Sequence, residues 1–185
     1  MENKVKFELY KKILCDWSTR MNLIAPSTLG DIDNRHIADS AQLADFLPKN
    51  VDIIDLGSGA GFPGVVLAIL GWNVTCIESI GKKVSFLTEV KKQLNLDVLT
   101  IYHGRVENYI AALPHSKKYI FTARAFAPLV KILDYVHKTD YELFLLKGRD
   151  ISAEIDTAKQ KYRFDFKLFP SKTGDGFIIN VKKYR

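Results

Sequence analysis

The stretch that decides the fold is Val51-Asp-Ile-Ile-Asp-Leu-Gly-Ser-Gly-Ala-Gly-Phe-Pro-Gly64, continued by Val65-Val-Leu-Ala-Ile-Leu70. Val51 to Leu56 has the length and branched residues of a short buried strand, and Val65 to Leu70 has the apolar continuity of a buried helix. Between them, Gly57, Gly59 and Gly61 permit positive φ and, lacking Cβ atoms, let backbone amides come close to a ligand. Pro63 suits the first helical position, where an N–H would have no intrahelical partner. The stretch reads as strand, glycine turn and helix, with the helix start offering amides to a carboxylate or phosphate.

Two nucleotide cofactors compete for such a turn. Gly59-Ala-Gly61-Phe-Pro-Gly64 satisfies the dinucleotide pattern G-x-G-x-x-G, which is a weak signal alone. Read from Asp55, the same residues spell D-x-G-x-G-x-G, the nucleoside-binding turn of class I methyltransferases that use S-adenosylmethionine. Chain length favours the second, because a nicotinamide enzyme needs a second mononucleotide half and a substrate domain, for which 185 residues leave little room. Asp55 precedes the turn, and Glu78 ends the next apolar run, Val74-Thr-Cys-Ile77. At the ends of adjacent parallel strands, such a carboxylate can accept both hydroxyls of a ribose.

Outward from the turn, strands and helices alternate, which implies a mostly parallel sheet covered on both faces. The patterns predict strands near 51–56, 74–78, 98–102, 119–124 and 142–147, with helices over 63–70, 81–94, 105–113, 127–137 and 150–161. Two further strand-like runs, 164–169 and 177–182, flank a glycine-containing loop and predict a closing antiparallel hairpin. Ahead of the sheet, residues 4–17 place Val5, Leu9, Ile13 and Trp17, with Tyr10 and Leu14, on one helical stripe. A second helix is expected from about Asp33 to Leu47. The expectation is an α/β, Rossmann-like class I methyltransferase with a seven-stranded sheet and antiparallel last strand. It forms one domain, with residues 1–48 as a helical extension and 49–185 as the core.

Composition, 47% hydrophobic and 26% charged, is that of an ordinary globular chain. The opening residues carry no signal peptide, and the uncharged run Leu56 to Ile77 is broken by five glycines, Pro63 and Asn73, which argues against a membrane span. Cys15 and Cys76, the two cysteines, have no metal-site or disulfide spacing and read as reduced core residues of a cytoplasmic protein. The net charge of +6 leans towards polyanions, yet lysines occur as scattered pairs, so basicity alone does not identify a nucleic-acid binder.

Four smaller clusters could carry chemistry. After the third strand, His103-Gly-Arg-Val-Glu107 offers the Val106 amide and the Glu107 carboxylate to an adenine edge, although Glu107 also simply suits a helix start. After the fourth, Ala123-Arg-Ala-Phe-Ala-Pro128 sets Arg124 beside the transferable methyl group. A guanidinium there needs either a structural carboxylate or a ligand. After the fifth, Leu146-Lys-Gly-Arg149 brings Lys147 and Arg149 to the same edge. In Asn34-Arg-His-Ile-Ala-Asp-Ser40, His36 and Asp39 lie three apart on one helical face, a spacing at which they can hydrogen-bond each other.

Taken together and in order, these motifs resemble the ribosomal small-subunit methyltransferase G family, also called glucose-inhibited division protein B, from about Trp17 to the C-terminus. The resemblance implies methylation of guanine N7 in the decoding-region hairpin of 16S rRNA, with S-adenosylmethionine as donor, in a bacterial cytoplasm. The positions matching that family's cofactor contacts are Gly57, Phe62, Val106, Glu107 and Arg124, joined by Gly59 of the turn and Glu78 at the end of the second strand. Glu78 stands where many members carry aspartate. Arg35, His36, Lys147 and Arg149 are candidates for contact with the RNA. Guanine N7 has a lone pair and no proton, so neither a catalytic triad nor a metal is expected. The expected partner is 16S rRNA or the small ribosomal subunit, met by a monomer without membrane attachment. The rivals are another class I methyltransferase acting on a different RNA or a small molecule, a nicotinamide-dependent oxidoreductase, and a non-catalytic RNA-binding assembly factor.

Overall fold

A computed structural model describes residues 2–49, 51–114 and 117–184. Seven strands form one sheet: β1 (Asp52–Leu56), β2 (Asn73–Glu78), β3 (Leu99–His103), β4 (Lys118–Arg124), β5 (Asp140–Lys147), β6 (Phe164–Pro170) and β7 (Phe177–Lys183). Their spatial order is β3-β2-β1-β4-β5-β7-β6. Pairing is parallel from β3 to β5, whereas β7 runs antiparallel to both β5 and β6. The central strands are buried along nearly their whole length, as the continuous apolar runs Ile53-Ile54 and Leu143-Phe144-Leu145-Leu146 require when helices cover both faces. Edge strand β6 carries Asp165, Lys167 and Pro170, residues that discourage pairing with another chain.

One face is covered by α1 (Glu2–Ser18), α3 (Gly64–Ile69) and α4 (Gly81–Leu94), the other by α5 (Val106–Ala111), α6 (Leu129–Val136) and α7 (Ile151–Lys159). The chain builds outward from β1 to β3, then crosses back to lay β4 against the other side of β1. A crevice therefore opens at the carboxyl ends of β1 and β4, the switch point at which open α/β sheets bind ligands.

The ends of the expected elements shift by one or two residues, but the N-terminal region differs more. The second helix is not continuous. After a 3-10 turn (Pro26–Asp31), it breaks into a π turn (Asp33–Ala38), a single α turn, α2 (Asp39–Ala41), and a further 3-10 turn (Gln42–Asp45). The π turn has a direct local consequence: the Asp39 amide donates to the Asn34 carbonyl, five residues back, rather than to Arg35. On α1 the buried side chains are Tyr10, Ile13 and Leu14, while Val5 is 64% exposed. Cys15 also points to solvent, contrary to its reading as a core residue, because the neighbouring Leu14 takes the inward side of the helix; Cys76 is buried as expected. Among the described residues no helix is long and apolar enough to cross a membrane.

Tyr10 ties this extension to the glycine turn. Its ring is fully buried against Phe62, and its hydroxyl donates to the Ala60 carbonyl. Tyr10→Phe leaves that carbonyl without its partner and should destabilise the fold by about 1–3 kcal/mol. The check is urea unfolding, with a lower midpoint and an unchanged slope.

Candidate active site

The turn after β1 is shaped by carboxylates. Gly57, Gly59 and Gly61 all adopt positive φ, as the sequence requires. Asp55, wholly buried, accepts from the Gly64 amide at 3.2 Å and from Thr122 Oγ1 at 3.4 Å. It faces the interior and leaves no oxygen for a ribose. The helix starts at Gly64, one residue after the expected Pro63, and its first amide is bound to Asp55 rather than exposed to an anion. Space is equally committed, since a Cβ on Gly64 would lie 2.6 Å from Asp55 Oδ2 and 2.5 Å from Cys76 Sγ. Burial raises the Asp55 pKa to about 6 against the pull of its hydrogen bonds.

Glu78 works from the neighbouring strand. Its Oε2 accepts from the Gly59 amide at 2.9 Å, and its Oε1 accepts from the amides of Ser79 and Ile80, both at 2.8 Å. The acid thus fixes the turn after β1 to the turn after β2, and Oε2 retains acceptor capacity for a hydroxyl. The Gly104 amide donates to the Glu78 carbonyl at 2.9 Å and brings the loop after β3 to the same place. Together these segments line a pocket of about 290 Å³ that includes Gly57, Glu78, Val106, Glu107, Phe126 and Tyr135. Val106 opens α5, so its amide has no intrahelical acceptor. Glu78, the Val106 amide and the Glu107 carboxylate give this space the acceptors and the donor that an adenosine requires.

A second, larger cleft of about 710 Å³ adjoins it. Ala125 and Phe126 line both spaces. Ala125 is held at φ 51°, a left-handed conformation that costs a non-glycine residue roughly 1 kcal/mol. Phe126 lies flat over Gly57, where any Cβ would strike its ring.

Arg124 faces this larger cleft, not the nucleoside pocket, and it meets a carboxylate as well as other partners. Its Nη1 donates to the Arg35 carbonyl at 2.9 Å and lies 3.3 Å from Asp39 Oδ2; its Nη2 lies 2.6 Å from His36 Nδ1. The guanidinium carbon sits 4.8 Å from the centre of the Phe62 ring, on which His36 also stacks. Phe62 is therefore a buried platform for Arg124. His36 and Asp39 do not bond each other as their spacing allowed; both turn to Arg124. Burial, then the Arg124 charge, lowers the His36 pKa to about 4. The neutral ring accepts at Nδ1 and donates from Nε2 to Thr28 Oγ1 at 2.8 Å.

Lys147 also lines the cleft, but its ammonium is held by the Ala127 carbonyl and Glu154, each at 2.7 Å. Arg35 and Arg149 stand at the mouth, Arg149 exposed and 3.6 Å from an equally exposed Asp175. Gly59 lies behind the nucleoside pocket, acting through Glu78. Phe126, Tyr135, Ser171 and Thr173 also line the two spaces, although no sequence pattern singles out the last three. Phe126 alone had a local signal, an aromatic flanked by alanines at a strand end.

Sheet order, antiparallel β7 and the two joined pockets define a class I S-adenosylmethionine-dependent methyltransferase. The same fold is seen in an S-adenosylmethionine-dependent methyltransferase from Aquifex aeolicus, with a TM-score of 0.60 at 12% identity over 86% of this chain and 99% of that one. Residues 3–174 match the family described as rRNA small subunit methyltransferase G. The ribosomal RNA small subunit methyltransferase G of Bartonella tribocorum is 38% identical, over 97% of this chain and 85% of its own. That of Hyphomonas neptunium is 40% identical over 89% and 80%. The chain belongs to this family.

Gly57→Ala should weaken S-adenosylmethionine binding in calorimetry by at least about tenfold, or 1.4 kcal/mol, because the Phe126 ring must swing into the pocket. Asp55, raised from 3.8 to about 6, adds stability that is complete below pH 3.8 and lost as pH rises through 6. His36, lowered from 6.5 to about 4, adds stability that is complete above pH 6.5 and lost as pH falls through 4. Their slopes oppose each other, so Asp55→Asn should lose stability more steeply than wild type on acidification from pH 6.5 to 4. Thermal melts across that range provide the measurement.

Proposed function

We infer that this protein methylates N7 of a guanine in the decoding-region hairpin of 16S rRNA. The observation that carries the reading is the wall shared by the two pockets. A nucleoside pocket and an acceptor cleft that meet at Ala125 and Phe126 allow a donor and a base to approach each other. When bound, S-adenosylmethionine supplies an electrophilic methyl group on its sulfonium. Guanine N7 presents a lone pair and no proton, so the protein needs no general base. Its residues orient the reactants, an effect worth up to roughly 7–11 kcal/mol in model reactions.

Gly57, Glu78, Val106 and Glu107 would hold the nucleoside. Of Arg124's five N–H groups, three point to Arg35, Asp39 and His36. Nε and one Nη2 hydrogen remain to mark guanine through O6, leaving N7 free to react. Phe126 and Phe177 supply apolar surface for an unstacked base. Arg35 and Arg149 stand where flanking phosphates would pass.

The test is a map of N7-methylguanine in 16S rRNA from cells with and without the protein. One decoding-region site should disappear without it, and purified protein should restore that site on small-subunit RNA. An unchanged map would overturn the assignment.

A further inference from the structure

The β6–β7 loop is built into the acceptor cleft. Ser171, Thr173 and Gly174 to Phe177 form the wall opposite Arg124, and a Cβ on Gly176 would come within 2.5 Å of the Lys147 carbonyl. Three residues of the N-terminal extension hold this loop: Gln42, Asp39 and, at its exposed edge, Asp45, which accepts from Lys172 Nζ at 2.7 Å. Buried Gln42 donates to Ser171 Oγ at 3.0 Å and accepts the Lys172 amide at 3.0 Å. Asp39 Oδ1 accepts from Thr173 Oγ1 at 3.0 Å and lies 3.4 Å from Ser171 Oγ. The same oxygen takes Gln42 Nε2 at 2.9 Å. Its other oxygen, Oδ2, faces Arg124.

We propose that Asp39 is the positioning residue of the acceptor cleft, fixing Arg124 through one carboxylate oxygen and the β6–β7 loop through the other. Gln42 and Asp45 hold the loop alone, whereas Asp39 bonds both walls and so couples the loop to Arg124. The π turn makes the arrangement possible. By sending the Asp39 amide to Asn34, it leaves the Arg35 carbonyl to Arg124, so backbone and carboxylate converge on one guanidinium. Arg124 needs both, because burial disfavours its charge and the Asp39 carboxylate is the leading group that restores it. None of these contacts reaches the nucleoside pocket. The inference rests on methyl transfer to RNA for its kinetic part alone.

Asp39→Asn keeps an Oδ1 acceptor for the loop but removes the negative charge opposite Arg124, whereas Asp39→Ala removes both. Asp39→Asn should lower kcat about 10–100-fold, the range of a broken charge-assisted bond, with S-adenosylmethionine affinity within about twofold of wild type. In Asp39→Ala, amides of residues 171–176 should also exchange with deuterium faster, and KM for the RNA should rise. Because Asp39 and Arg124 act together, Asp39→Asn combined with Arg124→Ala should lose no more kcat than Arg124→Ala alone. Wild-type kcat in Asp39→Asn, strictly multiplicative losses, or unchanged loop exchange in Asp39→Ala would each overturn the proposal. If wild type methylates no RNA, the functional assignment fails, while the exchange experiment still decides whether Asp39 holds the loop.

Discussion

A parallel strand that must turn directly into a helix brings backbone amides into a tight space at the sheet edge, and they need acceptors there. Here two buried carboxylates supply them. Asp55 holds the helix end of the turn and Glu78 holds its middle, while Glu78 also anchors the turn after β2. A buried carboxylate is costly unless several donors meet it, and each of these acids meets at least two. The arrangement fixes the backbone before any ligand arrives, so a nucleoside finds a surface already in place.

The rest of the site follows from the topology. Because β4 returns to lie beside β1, the segment after β4 must cross the mouth of the glycine turn. Arg124, Ala125 and Phe126 make that crossing. A left-handed Ala125 directs Arg124 to one side and lays Phe126 over Gly57 on the other. Two spaces with different chemistry thereby share a wall two residues thick. The strain at Ala125 is local and small beside the sheet that holds both of its flanks.

The core and the turn were legible in the sequence because their signals are local. Ile53-Ile54 and Leu143 to Leu146 are short apolar runs of strand length, and the glycines after β1 mark a turn whose positive φ angles other residues rarely adopt. The N-terminal region was less so. A regular 3.6-residue pattern suggested one helix over 33–47, but contacts with Arg124 and the β6–β7 loop favour successive π, α and 3-10 turns, and hydrophobic periodicity does not encode such contacts. Asp39 illustrates the difficulty. Its spacing from His36 was visible, while its actual partners, Arg124 and Thr173, lie 85 and 134 residues away. Lys147 carries the same lesson, since its pairing with Glu154 depends on how α7 packs on the sheet.

Charge balance in the acceptor cleft bears on the chemistry proposed for it. Methylation at N7 leaves the purine cationic, so a strongly basic cleft would raise the energy of the product and of the transition state leading to it. The cleft is not strongly basic: Arg35, Arg124, Lys147 and Arg149 are accompanied by Asp39, Glu154 and Asp175, and three of the cations have an acid within 3.6 Å. Paired in this way, Arg124 can still donate hydrogen bonds to a base while its field is largely cancelled at longer range. Attraction of the RNA backbone is better served by unpaired surface lysines, whose effect on phosphates does not oppose the reaction. On the proposed N7 reading, separating the two tasks would let the protein bind a polyanion and form a cation in one complex.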